Sequence, residues 1–417
     1  MKAVILAAGQ SSRLYPFAKD KHKSMISIMG KPLLEYTIER LKKNGIRELV
    51  IVVSKDSSVE KYFSDGKKYG INIAYVTQPA PLGMGNALSL ARDHIDGDFL
   101  LLHSYHFDVI DFIKDLIRTQ NNASKISLLA KKREDTFNQG VLRIEGDRVL
   151  DVVEKPAEGK EPSNLCVVGM YLISKDFLNE LQNTPVEQYQ FEKALSAFAK
   201  KNTVKFIEIE SDTISLKFPW DLIQVKNYLL KNIKKSINKT AVIAKSAEII
   251  GEVIIDEGAT VMEGVRIKGP CYVGKNVIVG NNTLLRDGTC IEEGCTVGAF
   301  MEMKNTLVMK NSKTHSGFIG DSVIGENVRI GAQFSTGNVR LDRKTISVVV
   351  KGEGIDSRIK SLGAMIGNDV RVGIKSSTMP GVVIGNGSVI GPSTVVLNNV
   401  SDGTKYYTKF AEIVNKI

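Results

Sequence analysis

The residues best suited to chemistry near the start of the chain are an arginine and a lysine that follow a small-residue turn. Gly9 ends an apolar run that contains Leu6 and Ala8, and the chain then leads to Arg13 and Lys23. A buried strand that ends in such a turn exposes backbone N–H groups, which bind phosphate oxygens. Two cations beside those groups would neutralise a polyphosphate. The start of the chain therefore predicts a site for a nucleoside triphosphate.

The elements that position this turn alternate between short apolar strands and amphipathic helices over residues 1 to about 230. The strands include Ala3–Leu6, Leu49–Val53 and Phe99–Leu102, with helices near Leu33–Asn44 and Ile110–Gln120. This alternation predicts an α/β fold, in which helices cover both faces of a mostly parallel sheet. Ligands bind such sheets at the carboxyl ends of the strands, where the first turn lies.

A different pattern begins near residue 241, where an aliphatic residue recurs at every sixth position. The uninterrupted run is Ile243, Ile249, Ile255, Val261, Ile267, Val273, Val279, Leu285, Ile291 and Val297. This hexapeptide repeat predicts a left-handed parallel β-helix, in which each triangular coil uses about three hexapeptides. Two segments, Phe300–Phe318 and Gln333–Leu362, interrupt the register, and we expect them to be loops on the binding face.

Length and composition bound the remaining organisation. The 417 residues predict more than one domain, which we place at 1–232 and 241–403, with a tail at 404–417 that closes the β-helix as a short helix. No apolar run approaches the roughly 18 residues that span a bilayer, so we expect a cytoplasmic protein without a membrane partner. The net charge of +10 favours polyanionic ligands. Because no basic helix or aromatic-rich strand stands out, we expect no nucleic-acid partner.

Short motifs occur in a fixed order along the first half. They are Leu6-Ala7-Ala8-Gly9 with Arg13, Lys23, Gly30-Lys31-Pro32, Gln78 with Leu82-Gly83, Val153-Glu154-Lys155-Pro156, Gly169 with Tyr171, and Pro219-Trp220-Asp221-Leu222. With these motifs the first half resembles the sugar-phosphate nucleotidylyltransferases, which have a Rossmann-like sheet. The whole chain is similar to their two-domain relatives, the archaeal bifunctional N-acetylglucosamine-1-phosphate enzymes, which add a left-handed β-helix acyltransferase.

This resemblance implies that a sugar-1-phosphate attacks the α-phosphorus of a nucleoside triphosphate and releases pyrophosphate. Catalysis of that kind is mostly positioning and charge neutralisation. By resemblance, Arg13 and Lys23 would hold the phosphates. The implied nucleotide-binding residues are Leu6, Ala8, Gly9, Gln78 and Gly83, and the implied sugar-phosphate-binding residues are Glu154, Lys155 and Gly169.

The metal position departs from the family pattern. The resemblance implies Mg²⁺ held by two aspartates, of which Asp221 is present, whereas Tyr105 stands at the other position. A phenol with an unperturbed pKa of about 10 is neutral at pH 7 and is a poor ligand for a hard cation. Asp108 is a candidate substitute, and His103 with His106 would suit only a softer metal.

The second half also carries family positions. By resemblance, Lys304 contacts the sugar phosphate, His315 is the general base and Asn338 lies at the acyl pocket. Transfer from acetyl-CoA to an amine needs a base of near-neutral pKa, and imidazole meets that need. The departures are Phe318, where the family has Tyr, and Arg329, where it frequently has Asn.

The β-helices of this family usually trimerise, so the resemblance implies a homotrimer. Three hypotheses stay open on the sequence. The first is an amino-sugar-1-phosphate N-acetyltransferase, with acetyl-CoA as co-substrate, fused to a nucleotidylyltransferase whose activity Tyr105 puts in doubt. The second is an active bifunctional enzyme with a rearranged metal site, and the third is a non-catalytic regulatory or scaffold subunit.

Overall fold

The computed structural model describes residues 1–18, 21–121, 124–136, 139–211 and 213–411. The chain forms two compact units. The first comprises Met1–Gln10, Asp20–Ile26 and Pro32–Ile214, and the second comprises Ser11–Lys19, Ser27–Lys31 and Ser215–Ile417.

The elements up to residue 214 alternate as the sequence predicts. The strands are β1 (Lys2–Ala7), β2 (Ser27–Ile28), β3 (Lys31–Pro32), β4 (Glu48–Val53), β5 (Asn72–Thr77), β6 (Phe99–His103), β7 (Ile126–Lys132), β8 (Gly140–Glu145), β9 (Arg148–Glu154), β10 (Leu165–Ile173) and β11 (Val204–Glu208). The α-helices are α1 (Leu33–Lys43), α2 (Ser58–Phe63), α3 (Gly83–Leu90), α4 (Ile113–Asn121), α5 (Phe177–Asn183) and α6 (Gln190–Ala199). Single 3-10 turns lie at Ser12–Leu14, Lys23–Met25, Lys67–Tyr69, Arg92–His94 and Phe107–Phe112.

The sheet of the first unit has the strand order β5-β4-β1-β6-β10-β7-β11-β9-β8. Strands β5, β4, β1 and β6 are parallel, so their carboxyl ends meet at one edge. Residues Ala3–Ala7 of β1 are fully buried or nearly so, as expected for a strand covered on both faces. The parallel order ends at β10, which runs antiparallel to both β6 and β7.

From residue 215 onward, the second unit has a helix that is followed by short strands. They are α7 (Asp221–Leu230), β12 (Ser236–Ile237), β13 (Val242–Ile243), β14 (Glu248–Ile250), β15 (Val253–Ile255), β16 (Thr260–Val261), β17 (Arg266–Lys268), β18 (Cys271–Val273), β19 (Ile278–Val279), β20 (Leu284–Arg286), β21 (Cys290–Ile291), β22 (Thr296–Val297), β23 (Met301–Lys304), β24 (Leu307–Val308), β25 (Lys313–Thr314), β26 (Gly317–Gly320), β27 (Val323–Ile324), β28 (Arg329–Ile330), β29 (Phe334–Thr336), β30 (Ser347–Val350), β31 (Glu353–Asp356), β32 (Met365–Ile366), β33 (Arg371–Val372), β34 (Ser377–Thr378), β35 (Val383–Ile384), β36 (Val389–Ile390), β37 (Val395–Val396) and β38 (Lys405–Tyr406).

Apart from β30 and β31, these strands build three parallel sheets that run the length of a left-handed β-helix. Each strand pairs with the strand one coil later, for example Val261 with Val279. The aliphatic residues of the six-residue register point inward and form one continuous core. A single coil has no second layer to cover its apolar face, so stacking of coils provides the stability.

The first predicted interruption, Phe300–Phe318, is wrong, because this segment is regular β-helix. Val273 pairs with Ile291, eighteen residues later, whereas Cys290 pairs with Leu307, seventeen residues later. Met301 pairs with Gly317, sixteen residues later. These coils are shorter by one or two residues, so the sequence loses its period of six while the parallel ladder continues.

The second predicted interruption, Gln333–Leu362, is a loop only in part. Strand β29 still belongs to the parallel ladder and pairs with both β26 and β34. The chain then leaves the β-helix and forms the antiparallel hairpin β30–β31. It returns so that Val323 pairs with Met365, and the coils before and after the hairpin are neighbours.

The tail helix predicted over 404–417 is absent from the described part of the tail. Lys405 and Tyr406 form β38 instead, because they continue the parallel ladder beside Val389 and Ile390. The N–H of Gly391 donates to the carbonyl of Tyr406 at 2.8 Å, which adds a ladder hydrogen bond. Residues 412–417 lie outside the described residues.

We predict that the inward register carries the stability of the β-helix. Ile291→Ala removes a fully buried side chain and should lower the free energy of unfolding by about 2–5 kcal/mol. Ile278→Ala is the matched control, because Ile278 is 38% exposed, and its cost should be about 0.5 kcal/mol. Urea unfolding of the three proteins measures both values. Equal costs at the two positions would contradict the inward packing of the register.

Candidate active sites

Two of the predicted nucleotide-binding residues of the first unit come together after β5. Gln78 is buried, and its Nε2 donates to the carbonyl of Gly83 at 3.1 Å and to Oδ1 of Asn86 at 2.9 Å. Gly83 begins α3 with a φ of +93°, and a Cβ there would lie 2.5 Å from the carbonyl oxygen of Gln188. Only glycine fits this close approach. The amide of Gln78 is therefore fixed against the first turn of α3.

The predicted start of the nucleotide site lies at the carboxyl end of β1. Leu6 and Ala8 are buried, whereas a Cβ at Gly9 would meet no atom within 4 Å. Space beside the backbone at the end of a parallel strand is what a bound phosphate or base requires.

The predicted sugar-binding residues lie on β9 and β10 of the same unit. Glu154 ends β9 and pairs in register with Gly140, where the Glu154 carboxylate occupies the position that a side chain would take. Lys155 follows with a φ of +47°, and its ammonium lies 5.6 Å from the centroid of the Tyr189 ring. Gly169 in β10 has a φ of +84°.

Glu192, which the sequence analysis did not single out, adds a second carboxylate near Glu154. Burial, together with the negative charge of Glu154, raises the pKa of Glu192 on α6 to about 7. Burial also raises the pKa of Tyr171 well above 10, and the charges of Glu192 and Glu154 act in the same direction. One glutamate on an amphipathic helix gives no sequence signal of this kind, because its burial depends on how the helix packs.

The position of the missing metal-binding aspartate is occupied by a stack of aromatic rings. The rings of His103 and Tyr105 are parallel within 11° at 5.9 Å, and the His106 ring lies 4.7 Å from that of Tyr105. The ammonium of Lys23 lies 4.0 Å from the centroid of the Tyr105 ring. This cation–π contact brings Lys23 and Tyr105 together. A Cβ at Gly169 would lie 3.1 Å from the His103 ring.

Asp108, the candidate substitute, is engaged by the backbone. Its Oδ2 accepts a hydrogen bond from the N–H of Ile214 at 2.6 Å. Its Oδ1 lies 3.6 Å from Nδ1 of His106, and neither atom has a hydrogen-bond partner among the described residues. The carboxylate of Asp108 thus holds residue 214 and faces a histidine.

The described residues of the first unit therefore do not offer a fitting set of ligands for Mg²⁺. Tyr105 offers a neutral ring that already contacts an ammonium, and Asp108 is bound to a backbone amide. In the part of the chain that the structure describes, no group of three or more His, Cys, Asp or Glu side chains is placed to hold a metal ion. A hard divalent cation prefers several anionic oxygens, which these residues do not provide.

Arg13 and Asp221 both belong to the second unit. The Oδ2 of Asp221 accepts hydrogen bonds from the N–H groups of Lys217 at 2.6 Å and Phe218 at 2.9 Å, which fixes the turn before α7. The Phe218 ring stacks on Trp220 at 4.7 Å. The guanidinium of Arg13 lies 5.9 Å from the centroid of the Phe218 ring. The turn before α7 therefore contacts both predicted residues, because Phe218 lies beside the Arg13 guanidinium and donates its N–H to Asp221.

The second candidate site is built on the β-helix around one carboxylate. Met301 and Met303 point into the core, so Lys304 at the end of β23 points outward. Its ammonium lies 3.2 Å from Oδ2 of Asp321, which also accepts a hydrogen bond from Nδ2 of Asn338 at 2.7 Å. Asp321 is 3% exposed. Asp321, which was not among the predicted site residues, thus brings together Lys304 and Asn338, two predicted residues that are distant in sequence.

The neighbouring ladder positions shape the surface beside Lys304. Arg286 pairs in register with Lys304, and its guanidinium forms an ion pair with Glu302 at 2.7 Å. Gly320 pairs with Lys304 from the next coil. A Cβ at Gly320 would lie 2.7 Å from the Phe318 ring and 2.9 Å from Nδ2 of Asn338. The site therefore has an aromatic wall and an amide donor beside a cation.

His315 is exposed and lies at the other end of this face. It follows β25, and its N–H donates to the carbonyl of Ile330 at 3.0 Å. His315 precedes Gly317, the first residue of β26, which pairs with Met301 at the start of β23. Lys304, at the end of β23, pairs with Gly320 at the end of β26. Three residues span about 10 Å along a strand. The predicted base and the predicted phosphate contact of one chain thus lie toward opposite ends of the same strands. The other departure, Arg329, is exposed on β28.

Comparisons with known proteins agree with this two-part architecture. Residues 2–214 match the nucleotidyl transferase family, and residues 363–398 match the bacterial transferase hexapeptide family. The bifunctional protein GlmU of Methanococcus vannielii is 33% identical over 100% of both chains. This chain belongs to the bifunctional GlmU family. It is also 35% identical to the bifunctional sugar-1-phosphate nucleotidylyltransferase/acetyltransferase of Sulfurisphaera tokodaii, over 97% of this chain and 99% of that one.

The GlmU membership confirms the predicted family, the predicted fold class and the assignment as a transferase of amino-sugar nucleotide biosynthesis. A UDP-glucose pyrophosphorylase complexed with UDP-glucose has a TM-score of 0.50 at 24% identity, over 55% of this chain and 98% of that chain. That similarity concerns the fold of the nucleotidyltransferase part. None of the helices in the described ranges has the length and apolar character that crossing a membrane requires.

We predict that Glu192 makes the stability of the first unit depend on pH. Its folded-state pKa of about 7 lies above 4.5, the value of an unperturbed glutamate, so the folded unit holds this proton more tightly than the unfolded chain. Stability should therefore fall as the pH rises through that window. Glu192→Gln should be more stable than the native protein above pH 7, by thermal unfolding, and should lose this advantage below pH 4.5.

Glu134→Gln is the matched control for this prediction, because Glu134 belongs to the same unit and its carboxylate is exposed to water. Its difference from the native protein should not change across the same pH range. If the Glu192→Gln and Glu134→Gln profiles run parallel, Glu192 is not a buried acid.

Proposed function

We propose that the β-helix unit transfers the acetyl group of acetyl-CoA to the amino group of an amino-sugar-1-phosphate. We further propose that the first unit binds a nucleoside triphosphate and a sugar-1-phosphate but has little or no nucleotidyl transfer activity. The protein would act in the cytoplasm. The observation that carries the first proposal is the convergence of Lys304 and Asn338 on the buried carboxylate of Asp321.

The geometry around Lys304 suits a phosphate group. The Lys304 ammonium is partly exposed, and Asp321 holds it on one side only, so further N–H donors face outward. Arg286 stands beside it but is paired with Glu302 and Asp287, so most of its charge is already compensated. Lys304 is therefore the cation that would bind the phosphate of the substrate.

The chemistry of the acetyl transfer needs a proton acceptor near the amine. The amine nitrogen attacks the thioester carbonyl, a C–N bond forms and the C–S bond breaks. His315 would accept the proton that the nitrogen loses, and the CoA sulfur leaves as a thiolate that takes up a proton. His315 is exposed, so its imidazole is accessible to a substrate amine.

The separation of His315 from Lys304 supports the homotrimer implied by the family. Within one chain the two residues lie toward opposite ends of β26, which favours a site completed by the edge of a neighbouring copy. Closed rotational symmetry repeats such a site once per subunit. Analytical ultracentrifugation gives the oligomeric state directly.

The acetyl transfer proposal is tested by CoA release with glucosamine-1-phosphate or galactosamine-1-phosphate. His315→Ala should lower kcat by about 100-fold or more, because proton transfer by a positioned base contributes that much. His94→Ala is the control, since His94 is an exposed histidine of the first unit. A His315→Ala protein that retains full activity would overturn the assignment of the base.

The role of Lys304 is tested by separating the two substrates. Lys304→Met should raise the KM for the amino-sugar-1-phosphate by about 10-fold or more and leave the KM for acetyl-CoA unchanged, because one charge-assisted hydrogen bond is lost. Lys310→Met is the matched control, since Lys310 pairs with Glu293 away from Asp321. An increase in the KM for acetyl-CoA alone would assign Lys304 to the other substrate.

A second candidate function is full bifunctionality, which the full-length identity to bifunctional relatives favours. Those enzymes belong to a family that uses a divalent metal, and the first unit lacks a fitting set of ligands among its described residues. We predict that the native protein releases no pyrophosphate from a nucleoside triphosphate, a sugar-1-phosphate and Mg²⁺, whereas Tyr105→Asp gains this activity. Release by the native protein at a rate that Tyr105→Asp does not increase would favour the second candidate.

A further inference from the structure

A buried lysine on α7 belongs to the same hydrogen-bond network as the acetyl transfer site. Lys226 has no exposed surface, and its ammonium donates to Oδ1 of Asn227 at 2.6 Å, to Oδ1 of Asn305 at 3.0 Å and to the carbonyl of Gly288. An ammonium has three N–H donors, so all three are used. Burial lowers the pKa of Lys226 to about 8, against the opposing effect of the charge on Asp321.

The network continues from Lys226 to the carboxylate at the centre of the site. Nδ2 of Asn305 donates to Oδ1 of Asp321 at 2.8 Å. The other oxygen, Oδ2, accepts from Lys304 and Asn338. Asp321 is thus held on one oxygen by Asn305 and on the other by the two candidate substrate-binding residues.

The orientation of the Asn305 amide follows from its two neighbours. An ammonium only donates hydrogen bonds and a carboxylate only accepts them. The amide must therefore turn its oxygen to Lys226 and its NH₂ group to Asp321. The reverse orientation would place the amide oxygen against the carboxylate and break both hydrogen bonds. Asp321 alone would favour this orientation, and Lys226 adds a second contact that anchors the amide oxygen of Asn305.

We propose that Lys226 is a positioning residue for acetyl transfer, which orients Asn305 and thereby fixes Asp321, Lys304 and Asn338 for the sugar phosphate. This inference rests on the proposed acetyl transfer function. The residue lies on a helix outside the hexapeptide register, and its three hydrogen bonds go to Asn227, Gly288 and Asn305 rather than to Lys304 or Asn338. Its effect should therefore appear in the binding of one substrate only.

The test measures the KM for amino-sugar-1-phosphate and for acetyl-CoA in Lys226→Met, Asn305→Leu and the double variant. Each single variant should raise the KM for the sugar phosphate by about 10-fold, which corresponds to one hydrogen bond of about 1.4 kcal/mol. The KM for acetyl-CoA should not change. Because both residues act through the same chain of hydrogen bonds, the double variant should be no worse than either single variant.

Asn305→Asp provides an independent arm in case the lysine variant does not fold. It keeps an oxygen acceptor for the Lys226 ammonium but faces Asp321 with a second carboxylate, and it should raise the same KM. Tyr228→Phe on the same helix is the control for a general effect on α7.

The outcomes separate this inference from the function on which it rests. If the native protein transfers no acetyl group to an amino-sugar-1-phosphate, the proposed function fails and the inference falls with it. If the native protein is active and the Lys226 and Asn305 variants keep the native KM, only the inference is overturned. Additive effects of the two substitutions would likewise contradict a shared chain of hydrogen bonds.

Discussion

A buried carboxylate must be neutralised by donors, and in the β-helix this requirement organises the candidate acetyl transfer site. Asp321 is 3% exposed, and its oxygens accept from Lys304, Asn305 and Asn338. Removal of such partners leaves an uncompensated charge in a region of low dielectric constant. The same requirement that stabilises this part of the β-helix therefore also fixes the direction of the Lys304 ammonium. Lys226 extends the arrangement into α7 by orienting Asn305.

In the first unit, the ammonium of Lys23 contacts an aromatic ring. The family resemblance led us to expect a carboxylate at the position of Tyr105, and here the ammonium of Lys23 lies over the phenol ring. A ring face attracts a cation without carrying a net charge. This replacement keeps Lys23 beside the ring but provides no anionic oxygen for Mg²⁺.

The periodic parts of the fold could be predicted from sequence because they depend on local, repeated burial. The six-residue register predicts the β-helix, and loss of that register near residue 300 reflects coils that shorten without leaving the ladder. The raised pKa of Glu192 and the network of Lys226 could not be predicted in this way. Each is a single polar residue on a helix, and its role depends on tertiary neighbours that no spacing encodes.

The most direct measurement of the central claim follows the acetyl group itself. The native protein is incubated with acetyl-CoA labelled with ¹³C in the acetyl carbonyl and with glucosamine-1-phosphate, and the product is analysed by NMR. The proposed function predicts a labelled amide on the sugar nitrogen, formed in step with free CoA. If the label appears only in free acetate, formed by hydrolysis of acetyl-CoA, and the sugar amine stays unmodified, the proposed function is contradicted.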